Sequence, residues 1–104
     1  MKFSPKMLFE YDTNVVGCQY YYSSNNVEPG DALVLFREPT NRYDKNAIQV
    51  LHKNKIVGYI NRMLAAEICG YLDSNIIYME AECVHKRTCF EIGIKIKGYS
   101  VLKI

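Results

Sequence analysis

The sequence contains no tryptophan, only three prolines and six glycines, and no apolar run near the roughly 18 residues that cross a bilayer. An excess of charge of one sign is missing as well, with 13 Lys and Arg against 11 Asp and Glu and a formal net charge of +2. That excludes a polycation that coats nucleic acid; any nucleic-acid site has to be local, with few phosphate contacts. The four cysteines (Cys18, Cys69, Cys83 and Cys89) lack framework spacing, which favours reduced, partly buried thiols over disulfides. The opening "MKFSPKMLFEY" places Pro5, Lys6 and Glu10 where an export signal needs an unbroken apolar stretch. A soluble, cytoplasmic protein without a membrane partner is expected. Its 104 residues, 49% of them hydrophobic, suit a single domain over residues 1–104 with one modest core.

Catalytic signatures are missing too. Gly93 and Gly98 have the glycine spacing of a phosphate-binding loop, but Tyr99 stands where the lysine belongs, and the segment reads as a strand. Neither a His-Glu-x-x-His helix nor a Gly-x-Ser-x-Gly elbow occurs. "CVHKRTC" offers Cys83, His85 and Cys89, with Cys83 and His85 on one face of a strand. A fourth ligand would have to come from Cys18, Cys69 or His52, so a packed thiol and a solvated imidazole are favoured over zinc. No enzyme, cofactor or metal is expected.

Strand signals dominate what is present. Val15 to Tyr22 is β-branched and aromatic and ends in the turn-rich "SSNNVEPGD". Ala32 to Arg37 reads as a central strand, apolar on both faces. Ala47 to Leu51 and Lys55 to Ile60 flank a hairpin tip of His52, Lys53 and Asn54. Ile76 to Val84 and Phe90 to Lys97 alternate, the latter with Ile92, Ile94 and Ile96 on one side. One helix is predicted over residues 62–73: Asn61 is the N-cap, and Leu64, Ile68 and Leu72 share a face. Whether residues 1–12 add an edge strand is left open. About six short strands and one helix predict a mainly β, OB-like, partly open β-barrel.

Nine tyrosines stand out, three of them consecutive at Tyr20 to Tyr22. On a strand, Tyr20 and Tyr22 would point one way and Tyr21 the other. Each alone is explained by cross-strand packing. Together they could form a platform on which nucleobases stack, at about 1–3 kcal/mol per base. Such a platform needs nearby cations and small polar groups, and "REPTNRYDKNAIQV" (Arg37 to Val50) supplies both in Asn41, Arg42, Tyr43, Asp44 and Lys45. Asp44 is out of place among phosphates. It suits either an Asx-turn, which the spacing favours, or a hydrogen bond from a terminal 3′-OH.

"VVGCQYY", "LFREPTNRYDKNAIQV" and "VGYI", followed by "NRMLAAEICGYLD", occur in the order and spacing of the HIRAN domain, and the chain resembles that family from Val15 to Gly98. The resemblance implies an OB-like barrel. In fork-remodelling, helicase-like members this domain captures the 3′-OH end of single-stranded DNA during fork regression. It implies that Tyr20 and Tyr43 enclose the terminal base and that Asp44 contacts the terminal hydroxyl. Tyr21 and Asn41 would line the pocket or touch the backbone, and Phe90 would form a wall.

Several positions depart from the family pattern. Gln19 replaces a basic residue, Arg42 a proline and Asn61 a proline. Tyr59 stands where animal members carry a backbone-binding histidine, and Arg62 is then the candidate helix-start cation. Capture of 3′ ends with a weakened phosphate grip is therefore expected, in repair, replication or restart, with a helicase or nuclease as partner. The competing expectation is an adaptor module whose DNA site has degenerated; RNA or duplex binding on the same face is a further variant.

Overall fold

The computed structural model describes residues 6–88 and 91–100. Six antiparallel strands and one helix follow in the order β1 (Met7–Asn14), β2 (Ala32–Arg37), β3 (Ile48–His52), β4 (Lys55–Tyr59), α1 (Arg62–Asp73), β5 (Ile77–Thr88) and β6 (Glu91–Ser100). The sheet runs β1-β6-β5-β2-β3-β4. Its two edges meet where the chain leaves β1: Val16 and Tyr59 exchange backbone hydrogen bonds of 2.8 and 2.9 Å. One bridge in place of a full ladder leaves the OB-like barrel partly open. Gly58 makes this approach possible, because a Cβ there would lie 2.4 Å from Val15 Cγ1 and 2.7 Å from the Val16 carbonyl oxygen. Among the described residues, no helix is long and apolar enough to cross a membrane.

The core follows the alternation of β6. Ile92, Ile94 and Ile96 are fully buried and meet Val50, Val57 and Cys83 from other strands and Ile68 from α1. Burial of each such side chain contributes about 1.5–3 kcal/mol. The helix starts and ends at the expected residues. Asn61 Oδ1 accepts from the Leu64 N–H at 2.9 Å, an N-cap bond, while its amide donates to Thr13 Oγ1. Leu64, Ala65 and Ile68 form the buried stripe.

Four expectations change. Val15 to Tyr22 is not a strand: Gly17 turns the backbone at φ 75, and two 3₁₀ turns follow, Cys18–Tyr20 and Tyr22–Asn26. The barrel's first strand is Met7–Asn14, so an edge strand does form; residues 1–5 of the segment left open lie outside the described residues. β2 is covered on one face only, since Val34 and Phe36 are exposed. His52 is no hairpin tip. Lys53 and Asn54, both at positive φ, make the two-residue turn, and His52 is buried with Nε2 2.9 Å from Asp31 Oδ2.

The fourth change concerns Cys83 and His85. The register slips between them, so Cys83 points into the core while the His85 ring lies outside, over Gly93. They do not share a face. Cys89 lies outside the described residues, and among those described no cluster of His, Cys, Asp or Glu is arranged to hold a metal.

Candidate nucleic-acid interface

The loop between β2 and β3 is built on its two ends. Arg37 anchors it from below: its guanidinium donates to Asp73 at the end of α1 and, at 3.0 Å each, to the carbonyls of Lys45 and Ala47. Glu38 anchors it from the barrel wall. Its carboxylate accepts from the Asn41 amide, from the Gln49 amide on β3, and from the Tyr59 hydroxyl on β4 at 3.1 and 3.2 Å. Hydrogen bonds led by that from Asn41 hold the Glu38 carboxyl below its ordinary range, against the opposing effect of desolvation. Burial first, and then the neighbouring Glu38 carboxylate, push the Tyr59 phenol up to about 12.

Asn41 carries this order outward. Its Oδ1 accepts from the backbone N–H groups of Tyr43 and Asp44, at 2.9 and 3.0 Å. Asp44 repeats the pattern one step on, with Oδ1 accepting from the Asn46 N–H at 2.9 Å. The Asx-turn favoured by the spacing therefore forms. It uses one carboxylate oxygen. The other, Oδ2, has the Arg62 guanidinium 3.9 Å away, and Arg62 also donates to the Tyr43 carbonyl at 3.0 Å. Arg62 is the first residue of α1, so Asn61 capping sets where this cation stands.

The loop's tip faces solvent. Tyr43 is 81% exposed, and Lys45 is exposed beside it. The Arg42 guanidinium sits 5.9 Å from the Tyr43 ring centroid, within cation–π range. Arg42 thus does not simply extend into water. It covers part of one face of the ring.

The other tyrosines come from the 3₁₀ turns. Tyr20 and Tyr22 are 79% and 87% exposed, and Tyr21 is half-buried, its ring 6.3 Å from that of Tyr59. The in-and-out pattern expected of a strand arises instead from a turn. The turn is held from beneath: Ser24 Oγ donates to the Cys18 carbonyl, and Lys86 Nζ on β5 donates to the carbonyls of Ser24, Asn25 and Val27 at 3.1, 2.9 and 2.7 Å.

Contacts among Tyr21, Tyr59, Glu38, Asn41, Tyr43, Asp44 and Arg62 join into one network. Tyr20 is not joined to it by any ring contact among the described residues, to Tyr43 or otherwise. Phe90 lies outside the described residues. Glu38, Arg37 and Lys86 are organising residues that the sequence reading passed over. Only the acidic–proline pair in "REP" signalled the first of them.

Comparisons with known proteins agree with the barrel fold. The family profile described as "HIRAN domain" matches residues 8–101. A putative SWI/SNF-related matrix-associated actin-dependent regulator of chromatin subfamily A member 3-like 1 from Arabidopsis thaliana is 41% identical over 68 residues, 64% of this chain and 8% of that protein. The chain thus spans less than a tenth of the length of that relative. The crystal structure of the HIRAN domain of human HLTF superposes with a TM-score of 0.84 at 26% identity, covering 92% of this chain and 79% of that one. The NMR structure of the HLTF HIRAN domain in its DNA-bound conformation gives 0.73 at 26% identity over the same shares. With its family profile matched over nearly the whole length and its barrel superposing on solved examples, the chain belongs to the HIRAN domain family.

Proposed function

We propose that this chain is a non-catalytic binder of single-stranded DNA that captures the 3′-OH end between Tyr20 and Tyr43. The observation that carries the reading is the Tyr43–Asp44 corner. An exposed ring adjoins a carboxylate that spends one oxygen on its own turn and keeps the other beside Arg62. A terminal base stacks on Tyr43, and Asp44 Oδ2, which faces Arg62, accepts from the terminal hydroxyl. Arg42, Lys45 and Arg62 supply phosphate contacts, and Tyr21, Asn41 and Tyr59 hold the wall. The base takes the Tyr43 face opposite Arg42 or displaces that guanidinium. The DNA-bound form of the human HLTF domain, similar in fold, supports DNA as the ligand class. Repair, replication or restart is the setting, alongside a helicase or nuclease.

Fluorescence anisotropy with oligonucleotides ending in 3′-OH or 3′-phosphate tests this directly. The hydroxyl end is expected to bind more tightly, and Asp44→Ala is expected to erase the difference. Tyr20→Ala is expected to weaken either end by about 1–3 kcal/mol, or about 5- to 150-fold. Equal affinity of the unaltered protein for both ends would overturn end capture.

A further inference from the structure

A second recognition feature lies on the outer face of the sheet, where β2 and β5 separate. Their ladder has only two pairs, Ala32↔Glu82 and Leu33↔Ala81, although both strands continue past it. The Glu38 N–H bonds to Ala47, and the Cys83 N–H bonds to Asp31. Backbone groups on a strand alternate in direction, so those of Leu35 and Met79 point into the gap, where no ladder partner follows among the described residues. A groove of about 550 Å³ fills this gap, with Leu35 and Met79 in its floor, Val34, Tyr78, Glu80 and Glu82 along its near walls, and Lys95 and Lys97 on the next strand at its far side. Val34 and Tyr78 are more than half exposed.

Charge separates this face from the tyrosine site. Cross-strand register places Glu80 and Glu82 beside Lys97 and Lys95, and these beside Glu10 and Asp12. Lys95 leans toward β1, 3.9 Å from Glu10 and 4.0 Å from Asp12. Four carboxylates thus outnumber two ammonium groups, and the pair nearest the groove, Glu80 and Glu82, is the acidic one. Such a face repels a DNA backbone. It suits a ligand that brings cations, apolar side chains and unpaired backbone groups together.

We infer that the β2–β5 groove binds an extended, basic-and-apolar peptide segment of a partner protein by β-strand addition. The segment pairs with the open backbone positions at Leu35 and Met79, lays apolar side chains on Val34 and Tyr78, and sets Lys or Arg against Glu80 and Glu82. The site is independent of the tyrosine loop.

Two short synthetic peptides, alternating lysine with valine or glutamate with valine, test the inference by NMR titration of the full chain. The lysine peptide is expected to bind saturably, to shift the Leu35, Met79 and Glu80 amides, and to slow hydrogen exchange at Leu35 and Met79. Glu80→Lys combined with Glu82→Lys, both on the solvent face, is expected to weaken it at least about tenfold while oligonucleotide affinity does not fall. Absence of saturable shifts, equal binding of the glutamate peptide, or shifts centred on Tyr43 and Asp44 would each overturn it. So would concentration-dependent dimerisation through Val34 and Tyr78, which would make a second copy the occupant.

Discussion

Glu38 shows how one side chain can organise a loop from three directions. It collects donors from Asn41, Gln49 and Tyr59, which lie 3, 11 and 21 residues away in the chain. Losing any one donor leaves the carboxylate partly desolvated and under-satisfied, which costs more than the bond itself contributes. Tyr59 reports on this cluster from the alkaline side. Its folded pKa, about 12, lies above the ordinary 10.0, so the folded state holds the proton more tightly than the unfolded chain. The resulting stabilisation is fully present below pH 10 and is lost as pH rises toward 12. Relative to Tyr59→Phe, the unaltered protein should therefore lose on the order of 1–2 kcal/mol across that window, measured by urea unfolding. An ultraviolet phenolate titration should show one tyrosine ionising near pH 12 that disappears in Tyr59→Phe.

At the scale of elements, the tyrosine segment depends on a lysine far away in sequence. Lys86 satisfies two carbonyls of the turn over residues 22–26 and that of Val27 just after it, which strand pairing cannot satisfy because Gly17 has already turned the chain out of the sheet. Lys86→Met keeps the stem and removes the ammonium. It should cost about 1–3 kcal/mol of stability and weaken oligonucleotide binding several-fold, with no loss of preference for a 3′-OH end, because Asp44 is untouched. Anisotropy and urea unfolding on the same variant separate the two effects. The same turn marks the limit of what the sequence discloses. Residues 62–73 and the Ile92–Ile96 alternation were legible because their periodicity is local and each faces one core. Val15 to Tyr22 has the composition of a strand, and β-propensity describes fit to a half-buried surface and not a backbone rule. What overrides it is tertiary: Ser24 on the Cys18 carbonyl and Lys86 from β5. The loop residues of the candidate site were legible as a motif, whereas their support by Glu38 was not, because two of its partners arrive from other strands.

For the whole molecule, the distribution of charge matters more than its total. A net charge of +2 gives little long-range attraction for DNA. Yet the cations are gathered. Arg42, Lys45 and Arg62 surround the Tyr43–Asp44 corner, while the outer face of β1, β6 and β5 carries the carboxylate excess. Binding of a single strand should thus engage only two or three phosphates, since Arg42 is drawn to Tyr43 and Arg62 is shared with Asp44. Each neutralised phosphate contributes about −0.7 to the log–log salt slope for single strands, which places the expected slope at about −1.5 to −2. Arg62→Gln should make the slope shallower by somewhat less than one phosphate's share, because Asp44 already offsets part of that charge. A salt series in the anisotropy assay, run on both proteins, measures this. A slope several units steeper would mean that DNA follows a long basic track, whereas among the described residues the outer face of β1, β6 and β5 sets Glu10, Asp12, Glu80 and Glu82 around Lys95 and Lys97.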